Sequence, residues 1–552
     1  MPELRPLATR LLLALLVLIA VFVAIDNMER ALANPDEGRY SEISREMAQT
    51  GDWITPRLNG IKYFEKPPLQ YWATAAAFRA FGVNEPAARL YTFLCGLLTV
   101  LLVGYTGWRL AGPPLGLAAM LVLGSSPYYL IMGGVVTLDM GLTLWTTLTF
   151  CAFVLAERPQ VTPRGRRAWM LIAWTAMALA MLSKGLVAIV FPAAVIGAYM
   201  LLRRDLGALR RMEWGFGLLL FTAVAAPWFV AVSYVNPQFP EFFFIHEHFA
   251  RFLTHVHRRT EPWWYFLPIF VILGFLPWML ALPAAVRAAW RDPRRRPETP
   301  ALQLATIWAL FILAFFSASG SKLPSYILPA LPPFALVVAR YLVDTPARTL
   351  ARYLVPTAAV GVAVAVWAGW FIEGSARDAW TQGLYMQARP LAIAAGLALL
   401  AAPIAASVLL WRERRWPGLI VAALGVVVMV GCVEDGYERL LPRQSGYEVA
   451  QKIKPYLGPG TRVYQVKMYD QTVPFYLGRT TKIVDYGDEF EMGFLAEPGS
   501  HIERWPQLFA DWERPGEALA IMQPEIYEKF RAGGLPMQVV HEDPRRILVR
   551  KP

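Results

Sequence analysis

The chain has 552 residues, of which 56% are hydrophobic and only 17% charged, and its mean hydropathy is +0.38. A soluble core cannot hide that much apolar surface, so a water-soluble globular protein is excluded and a polytopic membrane protein is expected. Cys95, Cys151 and Cys432 all fall in or at the end of apolar stretches, which leaves no external loop stapled by a disulfide and suggests no cysteine-metal site.

Stretches long enough to cross a bilayer lie near 7 to 27, 88 to 110, 114 to 133, 136 to 156, 167 to 182, 184 to 202, 215 to 235, 263 to 286, 302 to 319, 323 to 343, 351 to 373, 389 to 411 and 416 to 433. They predict about thirteen spans of roughly 20 residues. Gln70 to Phe81 is apolar but short and carries Arg79, so it reads as an interfacial helix. Ala31-Leu32-Ala33 has the small-residue spacing of a signal-peptide cleavage site, yet Asp26, Asn27, Glu29 and Arg30 separate it from the apolar stretch. An uncleaved first helix is the reading adopted.

Arginine accumulates on alternate loops, at 158 to 167, 203 to 211, 287 to 296, 340 to 352 and 412 to 415, and with Arg5 and Arg10 this places the N-terminus inside. Residues 28–87 then form a long external first loop, and 1–433 the membrane domain. The net charge of +12 concentrates there, with 37 Lys+Arg against 23 Asp+Glu. It reports membrane topology and implies no nucleic-acid partner. Residues 434–552 carry 16 Lys+Arg and 18 Asp+Glu. Short β-rich runs such as Arg462 to Val466, Thr481 to Tyr486, Ala518 to Met522 and Arg546 to Arg550 predict a small external α/β domain.

Ionisable residues cluster on the external side. The first loop reads Asn34-Pro35-Asp36-Glu37-Gly38-Arg39-Tyr40, and later Tyr63-Phe64-Glu65-Lys66-Pro67-Pro68. Asp36 and Glu37 taken alone are compatible with a solvated helix start. Asp139 and Lys184 stand at external mouths of spans, where charge is costly and usually functional; the plainer alternative pairs them with each other. The loop 236–262 adds His246-Glu247-His248, Arg251 and His255-Val256-His257-Arg258-Arg259, cations suited to a phosphate. His246 with Glu65 is a candidate pair for a divalent metal. Ser317 to Tyr326 is a polar external hairpin whose Lys322 and Tyr326 are candidates for an anionic head group, a plain interfacial anchor being the alternative.

The external Asp36-Glu37 pair, the Glu65-Lys66-Pro67-Pro68 segment, Arg89 opening the second span and the many-span body resemble the GT-C glycosyltransferases. Asp36 to Met47, Gly51-Asp52-Trp53 and Tyr63 to Pro67 resemble, more narrowly, the lipid A 4-amino-4-deoxy-L-arabinose transferase family, relatives of the protein O-mannosyltransferases. The resemblance implies a polytopic all-α, GT-C-like body that moves aminoarabinose from an undecaprenyl-phosphate donor to a lipid A phosphate at the periplasmic face of the inner membrane. It implies Asp36 as the catalytic acidic position. Glu65 and Asp139 are the further catalytic candidates, for recognising the sugar or fixing cations. Tyr40, Tyr63, Lys66, Lys184, Arg251, Lys322 and Tyr326 are the candidates for binding polyprenyl phosphate and sugar. A protein O-glycosyltransferase stays open as an alternative. A transporter is disfavoured because ionisable groups avoid mid-bilayer and the two halves show no repeated pattern.

Overall fold

The computed structural model describes residues 7–250, 261–290 and 296–552. Its body is helical. The first helix, α1 (Leu7–Glu29), has 23 residues, about 34 Å of rise, enough for a hydrocarbon core of about 30 Å. Leu11, Leu15, Leu18 and Phe22 on it stay exposed, as lipid-facing side chains would. After it come α2 (Asp36–Thr50), a two-stranded hairpin of β1 (Arg57–Leu58) and β2 (Ile61–Lys62), α3 (Leu69–Phe81) and α4 (Glu85–Ala111). The helix predicted over 70–81 is present as α3, started at Pro67-Pro68 and ended by Gly82 at φ 82°.

The body continues through α5 (Pro113–Gly124), α6 (Pro127–Gly133), α7 (Leu138–Ala156), α8 (Pro163–Lys184), α9 (Val187–Arg203) and α10 (Trp214–Val235). It closes with α11 (Thr299–Ala318), a helical run Pro324–Asp344, α12 (Ala347–Trp370), α13 (Ala379–Trp411) and α14 (Arg415–Glu438). Twelve of the thirteen predicted stretches fall on helix, and 263 to 286 falls on short helical pieces joined by turns. Among the described residues nine helices are long and apolar enough to cross a membrane, and α5 with α6, bent by 71° at Ser125-Ser126, makes a tenth. The others fall short for local reasons. The α9 helix has 17 residues, α8 opens on Arg164, Arg166 and Arg167, and the stretch from 266 to 289 is broken into short helical turns around Pro277. Burial ranks the spans: 83% of the apolar window of α7 is buried against 11% for α1, so α7 is central and α1 peripheral.

The tail is the expected α/β unit. Its five strands are β3 (Arg462–Val466), β4 (Lys482–Val484), β5 (Ala518–Met522), β6 (Gln538–Asp543) and β7 (Arg546–Arg550), in sheet order β4-β3-β5-β7-β6. The β3 strand is parallel to β4 and β5, while β7 is antiparallel to β5 and β6. All five residues of β5 are buried, the mark of a central strand covered on both faces.

Two glycines let the tail touch the first loop backbone to backbone. A Cβ on Gly38 in α2 would lie 2.7 Å from Gln471 C and Thr472 N, and one on Gly493 would lie 2.6 Å from Lys62 O in the hairpin. Charge and hydrogen bonds lock the contact. Arg546 pairs with Asp470 at 2.5 Å and donates to Ser445 O, while Asn34 Nδ2 donates to Asp470 at 2.8 Å. Arg57 pairs with Glu497 at 3.0 Å.

Candidate active site

The adjacent carboxylates Asp36 and Glu37 open α2 and diverge, because neighbours on a helix point about 100° apart. Glu37 turns inward. It accepts hydrogen bonds from Arg30 Nη1 at 3.0 Å, Arg89 Nε at 2.9 Å, Arg89 Nη2 at 3.0 Å, Ala33 N at 3.0 Å and Val136 N at 3.2 Å. Burial by itself would raise its pKa, but the charges of Arg30 and Arg89 and these donors outweigh burial and bring it down to about 2. Arg89 also donates to the carbonyls of Met28, Arg30 and Ala31. Glu37 and Arg89 therefore clamp the end of α1 to the starts of α2, α4 and α7.

Asp36 turns outward into a cavity of about 80 Å³. It is lined by the starts of α2 and α7, the end of α8, Glu65-Lys66, the stretch Leu323 to Tyr326, and Asp488-Glu489 of the tail. Seven of the sequence candidates line it: Asp36, Tyr40, Glu65, Lys66, Asp139, Lys184 and Tyr326. Lys66 pairs with Glu247 at 3.0 Å, stands 3.9 Å from Glu65 and donates to the Glu65 carbonyl at 2.9 Å. Lys184 pairs with Asp139 and sits 4.3 Å from the centre of the Tyr326 ring. Asp139 also occupies the first turn of α7, where the helix dipole favours a carboxylate. Its pairing with Lys184 is thus the plainer alternative, realised inside the cavity wall.

The remaining candidates fall elsewhere. Tyr63 is buried and does not line the cavity, and neither its hydroxyl nor that of nearby Tyr71 has a hydrogen-bond partner among the described residues. Burial, with Glu65 nearby, pushes both phenols well above their usual range, so they stay protonated. Lys322 does not reach the cavity; it is buried and donates to Ser319 O at 2.7 Å. Arg251 and His255 to Arg259 lie outside the described residues. His246 stacks on Phe242 and is not a lining residue. The metal expectation for Glu65 with His246 stays an expectation. Among the described residues no group of three or more His, Cys, Asp or Glu is arranged to hold a metal, and the Lys66 ammonium stands between Glu65 and Glu247.

Sequence reading missed Arg39, Thr137, Ser325, Asp488 and Glu489, all of which line the cavity. Arg39 had a usable signal, since it stands one helical turn from Asp36 and donates to it from Nη1 at 3.0 Å. Glu489 and Asp488 come from the tail, far along the chain, and only the docking of the tail brings them in. Glu489 pairs with Arg39 and accepts from Gln471 Nε2 at 2.7 Å. Burial raises the Glu489 pKa above its usual range, Glu65 adds to this, and Arg39 and Gln471 pull against it. Among the described residues each lysine or arginine that lines the cavity faces a carboxylate: Arg39 with Asp36 and Glu489, Lys66 with Glu247, and Lys184 with Asp139. Such a cavity suits a zwitterionic ligand, one with a phosphate for the cations and a positive group for the acids.

A many-span helical body with an acidic and basic cavity at one end defines the class, and comparison with known proteins agrees. Residues 8–290 match the family model of dolichyl-phosphate-mannose-protein mannosyltransferases, and residues 449–551 match that of the aminoarabinose transferase C-terminal domain. The structure superposes on the crystal structure of ArnT from Cupriavidus metallidurans bound to undecaprenyl phosphate with a TM-score of 0.91, at 34% identity, covering 98% of this chain and 97% of that one. An undecaprenyl phosphate-alpha-4-amino-4-deoxy-L-arabinose arabinosyl transferase of Pseudomonas fluorescens is 36% identical over 346 residues, which are 62% of this chain and 61% of that relative. The archaeal oligosaccharyltransferase AglB of Archaeoglobus fulgidus shares the fold alone, at 12% identity and a TM-score of 0.51. The chain belongs to the aminoarabinose transferase family.

Proposed function

We propose that the protein is an integral membrane glycosyltransferase of the bacterial inner membrane. It moves 4-amino-4-deoxy-L-arabinose from undecaprenyl phosphate to a phosphate of lipid A, at the periplasmic face. The observation that carries this reading is the Asp36 cavity, set at the end of the helices opposite their arginine-rich ends, in a chain similar over nearly its whole length to an ArnT bound to undecaprenyl phosphate. The arginine-rich ends mark the cytoplasmic side, so the cavity opens to the periplasm.

The reaction joins an acceptor phosphate oxygen to the sugar's anomeric carbon while that carbon's bond to the donor phosphate breaks. Undecaprenyl phosphate departs as an anion carrying the bonding pair. A phosphomonoester acceptor has its second pKa near 6 and is already largely ionised at neutral pH, so it needs little deprotonation. Asp36 accordingly positions the acceptor and sugar and stabilises positive charge developing at the anomeric carbon. Lys66 takes the departing phosphate, exchanging Glu247 for it, and Arg251 is the second cation assigned to that phosphate. Tyr40 lines the cavity with its phenol held protonated by burial, and so supplies a fixed O–H donor. Glu65 faces the sugar's amino group. Addition of a cationic sugar lowers the negative charge of lipid A, which weakens capture of cationic peptides such as polymyxin.

Expression in a bacterium lacking its own aminoarabinose transferase, followed by mass spectrometry of lipid A, tests this reading. Wild-type protein should add one aminopentose per modified phosphate and Asp36→Ala none. Unmodified lipid A from cells with membrane-inserted wild-type protein and a supply of donor would refute it.

A further inference from the structure

Arg39 holds Asp36, and the hold on Arg39 comes from the tail. Gln471 donates from Nε2 to Glu489 Oε1 at 2.7 Å, the other Glu489 oxygen pairs with Arg39 Nε, and Arg39 Nη1 donates to Asp36 Oδ1 at 3.0 Å. Exposure grades along this line: Gln471 is 7% exposed, the Glu489 side chain 5%, the Arg39 side chain 11% and the Asp36 side chain 35%. A buried, rigid end therefore grips an end that faces the cavity. Gln471 is also where the Gly38 backbone meets the tail, so the relay and the docking contact share one point.

We propose that Gln471 is a positioning residue for the transfer reaction, acting through Glu489 and Arg39 to fix the rotamer of the Asp36 carboxylate, and that the tail thereby serves as a wall of the active site. This rests on the function proposed above. Arg39 can hold Asp36 only while it is itself oriented by a charged Glu489. Glu489 is buried, faces Glu65 and Lys66 beyond the hairpin, Arg39 and Asp36 on α2, and Tyr469, Tyr486 and Asp488 of the tail. Most of these neighbours disfavour its charge. Gln471 and Arg39 favour it, so loss of the Gln471 amide moves Glu489 toward its neutral form and frees Arg39.

The test uses full-length protein in detergent or nanodiscs with Gln471→Met, which keeps length and removes the donor. Loss of one hydrogen bond to a charged group should lower kcat about tenfold to a hundredfold, with KM for the lipid-linked donor within about twofold. The activity that rises with pH as Glu489 ionises should rise at higher pH in the variant, so that raising the pH restores part of the rate. Amide hydrogen exchange in the first turn of α2 should quicken, a readout independent of substrate. Wild-type kcat, pH profile and exchange in Gln471→Met would overturn the proposal. So would a variant whose Tm falls while its pH profile stays in place, since that is a merely structural role. Wild-type protein that transfers no sugar would sink the functional reading by itself, and the exchange experiment would still decide the relay.

Discussion

Replacing Glu37 by Gln separates the scaffold of this site from its chemistry. The substitution keeps shape and removes one charge from between Arg30 and Arg89, both almost fully buried. The magnitude follows from linkage. A carboxyl held at about 2 against a usual 4.5 contributes ~3 kcal/mol of stability. Because the folded-state pKa is depressed, that contribution is complete above pH 4.5 and fades as pH falls toward 2. Leaving buried cations without their carboxylate costs about 3 to 5 kcal/mol by analogy with other buried pairs, so the two routes agree. With roughly 2 cal/mol/K of unfolding entropy per residue, Tm at pH 7 should fall by about 3 to 4 °C. Thermal unfolding of purified wild-type and Glu37→Gln protein in the same detergent, from pH 7 to pH 3, reads both effects. The gap should be widest near neutrality and should narrow below pH 4.5. An unchanged Tm at pH 7, or a gap independent of pH, would refute the reasoning.

Asp36→Asn should leave Tm within about 1 °C of wild type, because its side chain is partly exposed, yet lower the transfer rate about a hundredfold or more. Single-turnover kinetics on membrane-inserted protein measures it. Asp139→Ala leaves Lys184 without its carboxylate in the cavity wall, so it should destabilise more than the double variant Asp139→Ala/Lys184→Ala, with a coupling of about 1 to 3 kcal/mol in a double-mutant cycle. Gly38→Val should displace the tail, since even a Cβ there would lie 2.7 Å from the Gln471 and Thr472 backbone. Proteolysis at the junction near residues 439–446 should then quicken and activity fall.

Much of the architecture was written in hydropathy. Every predicted apolar stretch but the broken one at 263 to 286 is helical, because a backbone in lipid has to satisfy its own hydrogen bonds and a helix does so locally. The residues at the mouths of those helices were legible for a related reason: charge at membrane depth is rare enough that Asp139, Lys184 and the Glu65-Lys66 pair stood out. The division between Asp36 and Glu37 was not legible. Which of two adjacent carboxylates faces the cavity depends on where Arg30 and Arg89 arrive, and that is set by tertiary packing. Asp488 and Glu489 escaped for the same reason, since nothing local in an acidic stretch of a soluble tail says that it will close a cavity in the membrane body. Lys322 misled because a cation in a polar hairpin looks solvated, whereas its ammonium folds back on Ser319 O.

The most direct test of the central claim combines purified protein, lipid A and undecaprenyl-phosphate aminoarabinose, with mass spectrometry of both lipids over time. Wild-type protein should convert the donor to undecaprenyl phosphate and add one aminopentose to a lipid A phosphate at equal rates, and Asp36→Ala and Lys66→Ala should do neither. Transfer at the wild-type rate by either variant, while it stays folded, would contradict the assignment of the cavity as the active site.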